Sequence, residues 1–177
     1  LGLIKDKFAQ KQFLSTHGIA TADFLEVKTI DDARKAATSF GYPFVLKAKR
    51  DSYDGRGNAL VEDELGIEEA FAKFPSRELY AEKFVRFSKE LSVVAARSMK
   101  GEITLFPVVE TIHVNHICDT VTMPADISAE ASERAEKMAR LVMEQLEGAG
   151  VFGIEMFLTE GGVLINEIAP RVHNSGH

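Results

Sequence analysis

GIEMFLTEGGVLINEIAPRVHNSGH, residues 153–177, completes two short apolar runs, 151–158 and 163–168, on either side of the pair Gly161-Gly162. Two apolar runs of strand length around a glycine-bearing turn predict a β-hairpin. Each run carries one carboxylate, Glu155 and Glu167, among residues that otherwise suit a core. A three-residue loop, Glu160-Gly161-Gly162 with a glycine in the left-handed position, would set Glu155 directly opposite Glu167. Their Cβ atoms would then be roughly 5 Å apart, and like charges so placed repel. A hard divalent cation such as Mg²⁺, held by one or two carboxylates plus substrate phosphates, would relieve that repulsion. A solvated hairpin face with two idle glutamates is the alternative. Just past the second carboxylate, Arg171, His173 and Asn174 add an anion-binding fork, an imidazole and an amide, which favours the functional reading.

Working outward, the chain has 177 residues, 45% hydrophobic and 27% charged, enough for a real core in one large domain or two small lobes. The net charge of −6 argues against a nucleic-acid surface but not against phosphate ligands, which need only local positive charge. One cysteine, Cys118, excludes an intrachain disulfide, and no Cys/His spacing resembles a zinc site. No apolar run approaches the roughly 20 residues of a membrane span, and the start does not resemble a signal peptide. The expected compartment is the cytoplasm, with no membrane or nucleic-acid partner. Leu1 in place of Met, and an end at His177 inside the most functional-looking loop, suggest a piece of a longer protein.

Residues 5–17 read as a helix capped by Asp6 and stopped by Gly18, followed by a strand at 24–27. Thr29 and Asp32 form a capping-box pattern opening a second helix with Ile30, Ala33, Ala37 and Phe40 on one stripe. Residues 44–50 read as a buried strand turning basic at its end. The glycine-bearing tip that follows, Asp51 to Gly57, leads to a short strand at 58–61. Such a tip can lay backbone N–H groups over phosphates; an ordinary Asp-Gly turn is the alternative, as solvent-seeking is for Lys47. A third helix carries Ile67, Ala70, Phe71 and Phe74, with strands at 79–84 and 90–97, the latter alternating. The run Glu82-Lys83-Phe84-Val85 could offer backbone groups to a nucleobase edge or be plain strand. Residues 102–121 predict two or three antiparallel strands, with His113 and His116 as surface or turn residues and Cys118 in packing. Ser128 caps the longest helix, 129–147, with Ala131, Ala135, Met138, Val142 and Leu146 inward and Gly148 and Gly150 at its end.

A small α/β lobe with a basic strand and glycine loop, a strand that could act as a hinge, and a larger antiparallel lobe with opposed carboxylates suit Mg²⁺–nucleotide. Residues 44–47, Tyr53-Asp54-Gly55-Arg56-Gly57, Glu82 with Glu90, Glu155 and the run 166–177 resemble the ATP-grasp superfamily. Within it they look like the N5-carboxyaminoimidazole ribonucleotide synthetases, over essentially the whole chain. YDGRG together with NEIAPRVHNSGH is the specific part.

The resemblance implies an α+β ATP-grasp fold, two α+β lobes with nucleotide bound between them. It divides the chain into a leading helix (1–19), a small lid lobe (20–85) and a large lobe with the metal and bicarbonate site (86–177). It implies an ATP-dependent carbon–nitrogen ligase of purine biosynthesis. ATP would phosphorylate bicarbonate to carboxyphosphate, and that species or its CO₂ would carboxylate 5-aminoimidazole ribonucleotide. Lys47 would bind phosphate, and Ser52, Tyr53, Asp54, Gly55, Arg56 and Gly57 would form the phosphate loop. Glu82, Lys83, Phe84 and Val85 would hold adenine and Glu90 the ribose. Glu155 and Glu167 would ligate Mg²⁺. Tyr53 and Asp54 would approach the aminoimidazole, and Arg171, His173 and Asn174 would form the bicarbonate pocket. His173 would donate to carboxyphosphate or shuttle a proton.

Two departures stand out. Ala169 replaces an asparagine that many superfamily members place two residues after the second glutamate, which throws coordination onto Glu155 and Glu167. The family's N- and C-terminal domains lie outside these residues, so the piece alone could bind ATP without carboxylating; a homodimer is open to the full-length protein. The rivals are a formate-dependent glycinamide ribonucleotide formyltransferase and a non-catalytic nucleotide-binding module.

Overall fold

A computed structural model of the protein describes residues 2–50, 57–75, 77–115 and 117–176. In chain order the elements are α1 (Gly2–Lys5), α2 (Lys7–Thr16), β1 (Phe24–Val27), α3 (Ile30–Phe40), β2 (Phe44–Ala48), β3 (Asn58–Val61), α4 (Glu64–Ala72) and β4 (Leu79–Lys83). There follow β5 (Lys89–Arg97), β6 (Ile103–Leu105), β7 (Val109–Val114), β8 (Ile117–Thr122), α5 (Ala129–Leu146), β9 (Gly150–Thr159), β10 (Gly162–Ala169) and a 3-10 turn at Asn174–Gly176. The chain divides into two compact units: Gly2–Lys11 with Ala22–Val85, and chiefly Gln12–Thr21 with Arg86–His177. Among the described residues no helix is long and apolar enough to cross a membrane.

The smaller unit is an antiparallel sheet in the order β1-β4-β2-β3. Helix α3 starts where the sequence predicts. The Thr29 hydroxyl accepts from the Asp32 N–H at 3.3 Å, and the Asp32 carboxylate accepts from the Thr29 N–H at 3.0 Å. Its Ala33, Ala36 and Ala37 join Ile67 and Ala70 of α4 on the sheet face made by Phe44, Leu46, Val61, Leu79 and Ala81. The opposite face carries Val45, Lys47, Tyr80 and Glu82. Phe8 of α2 meets Phe24 edge-on at 5.5 Å and Tyr80 at 5.9 Å there. The leading helix is interrupted at Asp6, whose carboxylate accepts the Ala9 N–H at 3.0 Å and so caps α2.

The larger unit is a sheet in the order β10-β9-β5-β7-β8, with β6 also on β5. Helix α5, capped by Ser128, packs on β5, β6, β9 and β10 through Ala135, Ala139, Val142 and Met143. It closes at Glu147 in the left-handed region (φ 53°), one residue before the expected Gly148. The alternation expected of β5 is absent: Leu91 through Ala95 are all buried. Helix α5 lies on this strand and so does the 174–176 turn, so neither face meets water.

The β9–β10 hairpin brings Glu155 and Glu167 into register as expected, by a different route. The turn is the two residues Glu160-Gly161, since Thr159 already pairs with Gly162. A bulge between Ile165 and Glu167 takes up the extra residue, Asn166.

Candidate functional site

In the smaller unit, strand register sets Lys47 opposite Tyr80 and Val45 opposite Glu82, so Lys47 and Glu82 are diagonal neighbours on one face. The Lys47 ammonium is ion-paired to Glu82. Lys11, from α2, reaches the other oxygen of that carboxylate at 2.8 Å. All three are buried or nearly so, with side chains 14%, 4% and 3% exposed for Lys47, Glu82 and Lys11. Burial pushes the Glu82 carboxyl up, but the Lys47 and Lys11 charges and their hydrogen bonds outweigh it and hold the group at about 2. Lys83 leaves β4 exposed, its ammonium 3.2 Å from Asp23, and Phe84 is exposed after it. Gly57 accepts the Ala48 N–H at 2.8 Å, closing the base of the β2–β3 hairpin. Ser52, Tyr53, Asp54, Gly55 and Arg56, the rest of the expected phosphate loop, lie outside the described residues, as do His116 and His177.

In the larger unit, the register Ser92–Glu155–Glu167 runs as one row across β5, β9 and β10. Asn166 donates to one Glu155 oxygen at 3.3 Å, and Nε2 of His173 stands 3.2 Å from the other. His173 is buried, with its ring laid over Gly153. A Cβ on Gly153 would sit 2.4 Å from the imidazole Cγ. Arg171 and Asn174 are exposed on either side, with the Arg171 guanidinium donating to the Val172 carbonyl at 3.2 Å.

A cleft of about 580 Å³ opens beside this row, lined by Lys89, Glu90, Glu110, Thr111 and His113 with Phe87 at one wall. Phe87 stacks on Phe157 with centroids 4.6 Å apart. Glu90 is paired with the His113 ring, so His113 is a surface residue with a task. Cys118, half-buried opposite His113, has its thiol pushed up by burial and then by the negative charges of Glu155 and Glu90.

The two opposed carboxylates suit a cation that takes one or two protein carboxylates and completes its shell with phosphates and water. Among the described residues no group of three or more metal-ligating side chains stands together as a protein cage. Asn166 and His173 meet at Glu155, with Glu167 in register across the hairpin, and Lys47 meets Glu82. Lys11, Ser92, Ser175 and Gly153 were not anticipated. A lysine inside an amphipathic helix and a serine in an apolar strand give no local signal, because their partners are distant in sequence.

The family model that matches is the ATP-grasp domain, over residues 12–177. The phosphoribosylaminoimidazole carboxylase of Ogataea methanolica is 45% identical across 100% of this chain and 33% of its own length. The carboxyaminoimidazole ribonucleotide synthase of Aspergillus clavatus, in complex with ATP, superposes with a TM-score of 0.94 at 40% identity, over 99% of this chain and 47% of that one. The Aspergillus clavatus N5-carboxyaminoimidazole synthase with ADP and 5-aminoimidazole ribonucleotide gives 0.92 at 37%, over 99% and 46%. The chain thus spans a third of that carboxylase's length and just under half of either synthase chain. With antiparallel sheets, opposed carboxylates and a lysine-bearing strand matched over nearly its whole length, the chain belongs to the ATP-grasp family.

Proposed function

We propose that this chain is the ATP-binding core of an N5-carboxyaminoimidazole ribonucleotide synthetase. The reaction would use ATP to activate bicarbonate as carboxyphosphate and carboxylate the amine of 5-aminoimidazole ribonucleotide. The observation that carries the proposal is the Glu155–Glu167 opposition with His173 beside it. The likeness to a synthase bound to ADP and 5-aminoimidazole ribonucleotide supports it.

On this reading residues 20–85 form the small lobe and 86–177 the lobe with the metal and bicarbonate site. Lys47 neutralises phosphate charge, and Lys11, joined to the same carboxylate, adds a second cation. With the Glu82 carboxylate engaged by these lysines, the adenine edge is read by backbone groups of Lys83, Phe84 and Val85. Glu90 takes the ribose. Ser52, Gly55, Arg56 and Gly57 cover the phosphates, while Tyr53 and Asp54 approach the aminoimidazole. Glu155 and Glu167 would hold Mg²⁺, which when bound neutralises phosphate charge and orients the transferring group. Arg171 presents a planar fork to bicarbonate, and His173 and Asn174 complete that pocket.

ADP release by the intact protein, with Mg-ATP and bicarbonate, should depend on 5-aminoimidazole ribonucleotide. Release only with formate and glycinamide ribonucleotide would move the chain to the formyltransferase branch. Bound nucleotide with no release in either arm would leave a non-catalytic module. Glu167→Gln should lower turnover by at least about 10²-fold and weaken Mg-nucleotide binding, with an unchanged circular dichroism spectrum. Wild-type turnover in that variant would remove the carboxylate pair from the mechanism.

A further inference from the structure

Ser175 and Ser92 have no part in the chemistry described so far, yet both are buried and joined to it. The Ser92 and Ser175 hydroxyls are 2.7 Å apart, and the Ser175 hydroxyl is 2.8 Å from Nδ1 of His173. On its other side the ring meets Glu155 through Nε2 at 3.2 Å. The ends of this chain of contacts fix its direction. Nε2 faces a carboxylate oxygen, which when ionised has no hydrogen to offer, so a hydrogen between the two can only be the ring's. At the opposite end the Ser175 backbone N–H, shared with the Asn174 side-chain oxygen at 3.0 Å, points at Nδ1 at 3.4 Å. A second hydrogen on Nδ1 would face that N–H, so Nδ1 accepts. The Ser175 hydroxyl therefore donates to Nδ1 and receives from Ser92.

We propose that Ser175 and Ser92 are positioning residues that hold His173 in the tautomer with its hydrogen on Nε2, aimed at the Glu155 side of the bicarbonate pocket. This rests on the carboxylase reading for its purpose. Its geometry is independent of that reading. Strand register supplies the rigidity. Ser92 pairs with Glu155 across β5 and β9, so the first and last groups of the relay ride on neighbouring strands. The loop between is pressed onto the same two strands where glycines allow it. His173 lies over Gly153, and a Cβ on Gly176 would stand 2.9 Å from Val94. The ring can neither flip nor slide without opening these contacts. A partner on one ring nitrogen dictating the hydrogen on the other is the general means of setting imidazole function.

Solid-state ¹⁵N NMR of the intact protein labelled with [¹⁵N]histidine, with His173→Gln as the difference blank, reads the tautomer without substrate. Wild type should show a bare Nδ1 and a hydrogen-bearing Nε2. In Ser175→Ala both signals should move toward the averaged positions of exchanging tautomers. Carboxylation kcat should fall about 10–100-fold, with the KM for ATP within about twofold of wild type. Ser92→Ala, which leaves the Ser175 donor in place, should shift Nδ1 in the same direction by less, and serves if Ser175→Ala does not fold. A hydrogen on Nδ1 in wild type, or a Ser175→Ala spectrum superimposable on it, overturns the assignment. The assigned tautomer in a protein lacking aminoimidazole-dependent ADP release would sink the carboxylase reading alone. Full carboxylase turnover with a mixed tautomer would sink the positioning role alone.

Discussion

Glu82→Gln is expected to destabilise the intact protein by about 3–5 kcal/mol, measured as a fall in urea midpoint at constant slope. The substitution keeps the shape and removes the charge that Lys47 and Lys11 share. Two buried ammonium groups would then face a neutral amide in place of the charge they share. The loss should be non-additive: Lys11→Met in the Glu82→Gln background should recover part of it, because one of the two buried cations facing that side chain is gone. The same carboxylate sets an acid limit. Its folded-state value lies near 2 against an ordinary 4.5, so its stabilisation is present above about 4.5 and lost as pH falls toward 2. Wild type should lose stability through that window faster than Glu82→Gln. A cost below about 1 kcal/mol, with parallel acid curves, would mean that water reaches the lysines after all.

The second large effect is expected at Gly153. Its missing side chain is where the His173 ring lies, and alanine would place a Cβ 2.4 Å from Cγ and 2.6 Å from Cδ2. The imidazole must move, since the backbone beneath belongs to the central part of the sheet. Overpacking of this kind costs about 1–3 kcal/mol, and with His173 in the bicarbonate pocket as proposed, displacing it by an ångström can cost about 10² in rate. Gly153→Ala should therefore fold and lose roughly two orders of magnitude in kcat. Gly161→Ala is the control. Its nearest neighbour would be Thr159 Oγ1 at 3.7 Å, ordinary contact, and its turnover should match wild type. Equal activity in both variants would show that the His173 position is immaterial to the rate.

Local chemistry explains which features were legible in the sequence. The capping box at Thr29 and Asp32, the Ser128 cap and the hairpin around Gly161 are short-range signals, and the structure has them where they were expected. The opposition of Glu155 and Glu167 was also legible. Its arithmetic requires one extra residue somewhere beyond Thr159, and the expected three-residue turn is only one way to supply it. Burial of β5 on both faces was not legible, because its cover arrives from residues 129–146 and 174–176. Lys11 was missed for the same reason. Its partner Glu82 is 71 residues away, and nothing beside it in the helix signals a carboxylate.

The bulge at Asn166 shows what that extra residue does when it sits in the strand instead of the turn. A regular strand presents one side chain to a given face at every second residue, roughly 7 Å apart. At the bulge two consecutive residues, Asn166 and Glu167, stand opposite the single residue Glu155. Density of polar groups on that stretch of the sheet is doubled without a second strand. Put in the turn, the same residue would have been a spacer, lengthening the connection and touching nothing. Put at the bulge, its amide donates to one of two facing carboxylates and tempers their repulsion while the other keeps its place. Deleting Asn166 would restore an unbroken ladder with Glu167 still facing Glu155, and would strip away the neutral donor that lets two like charges share an address.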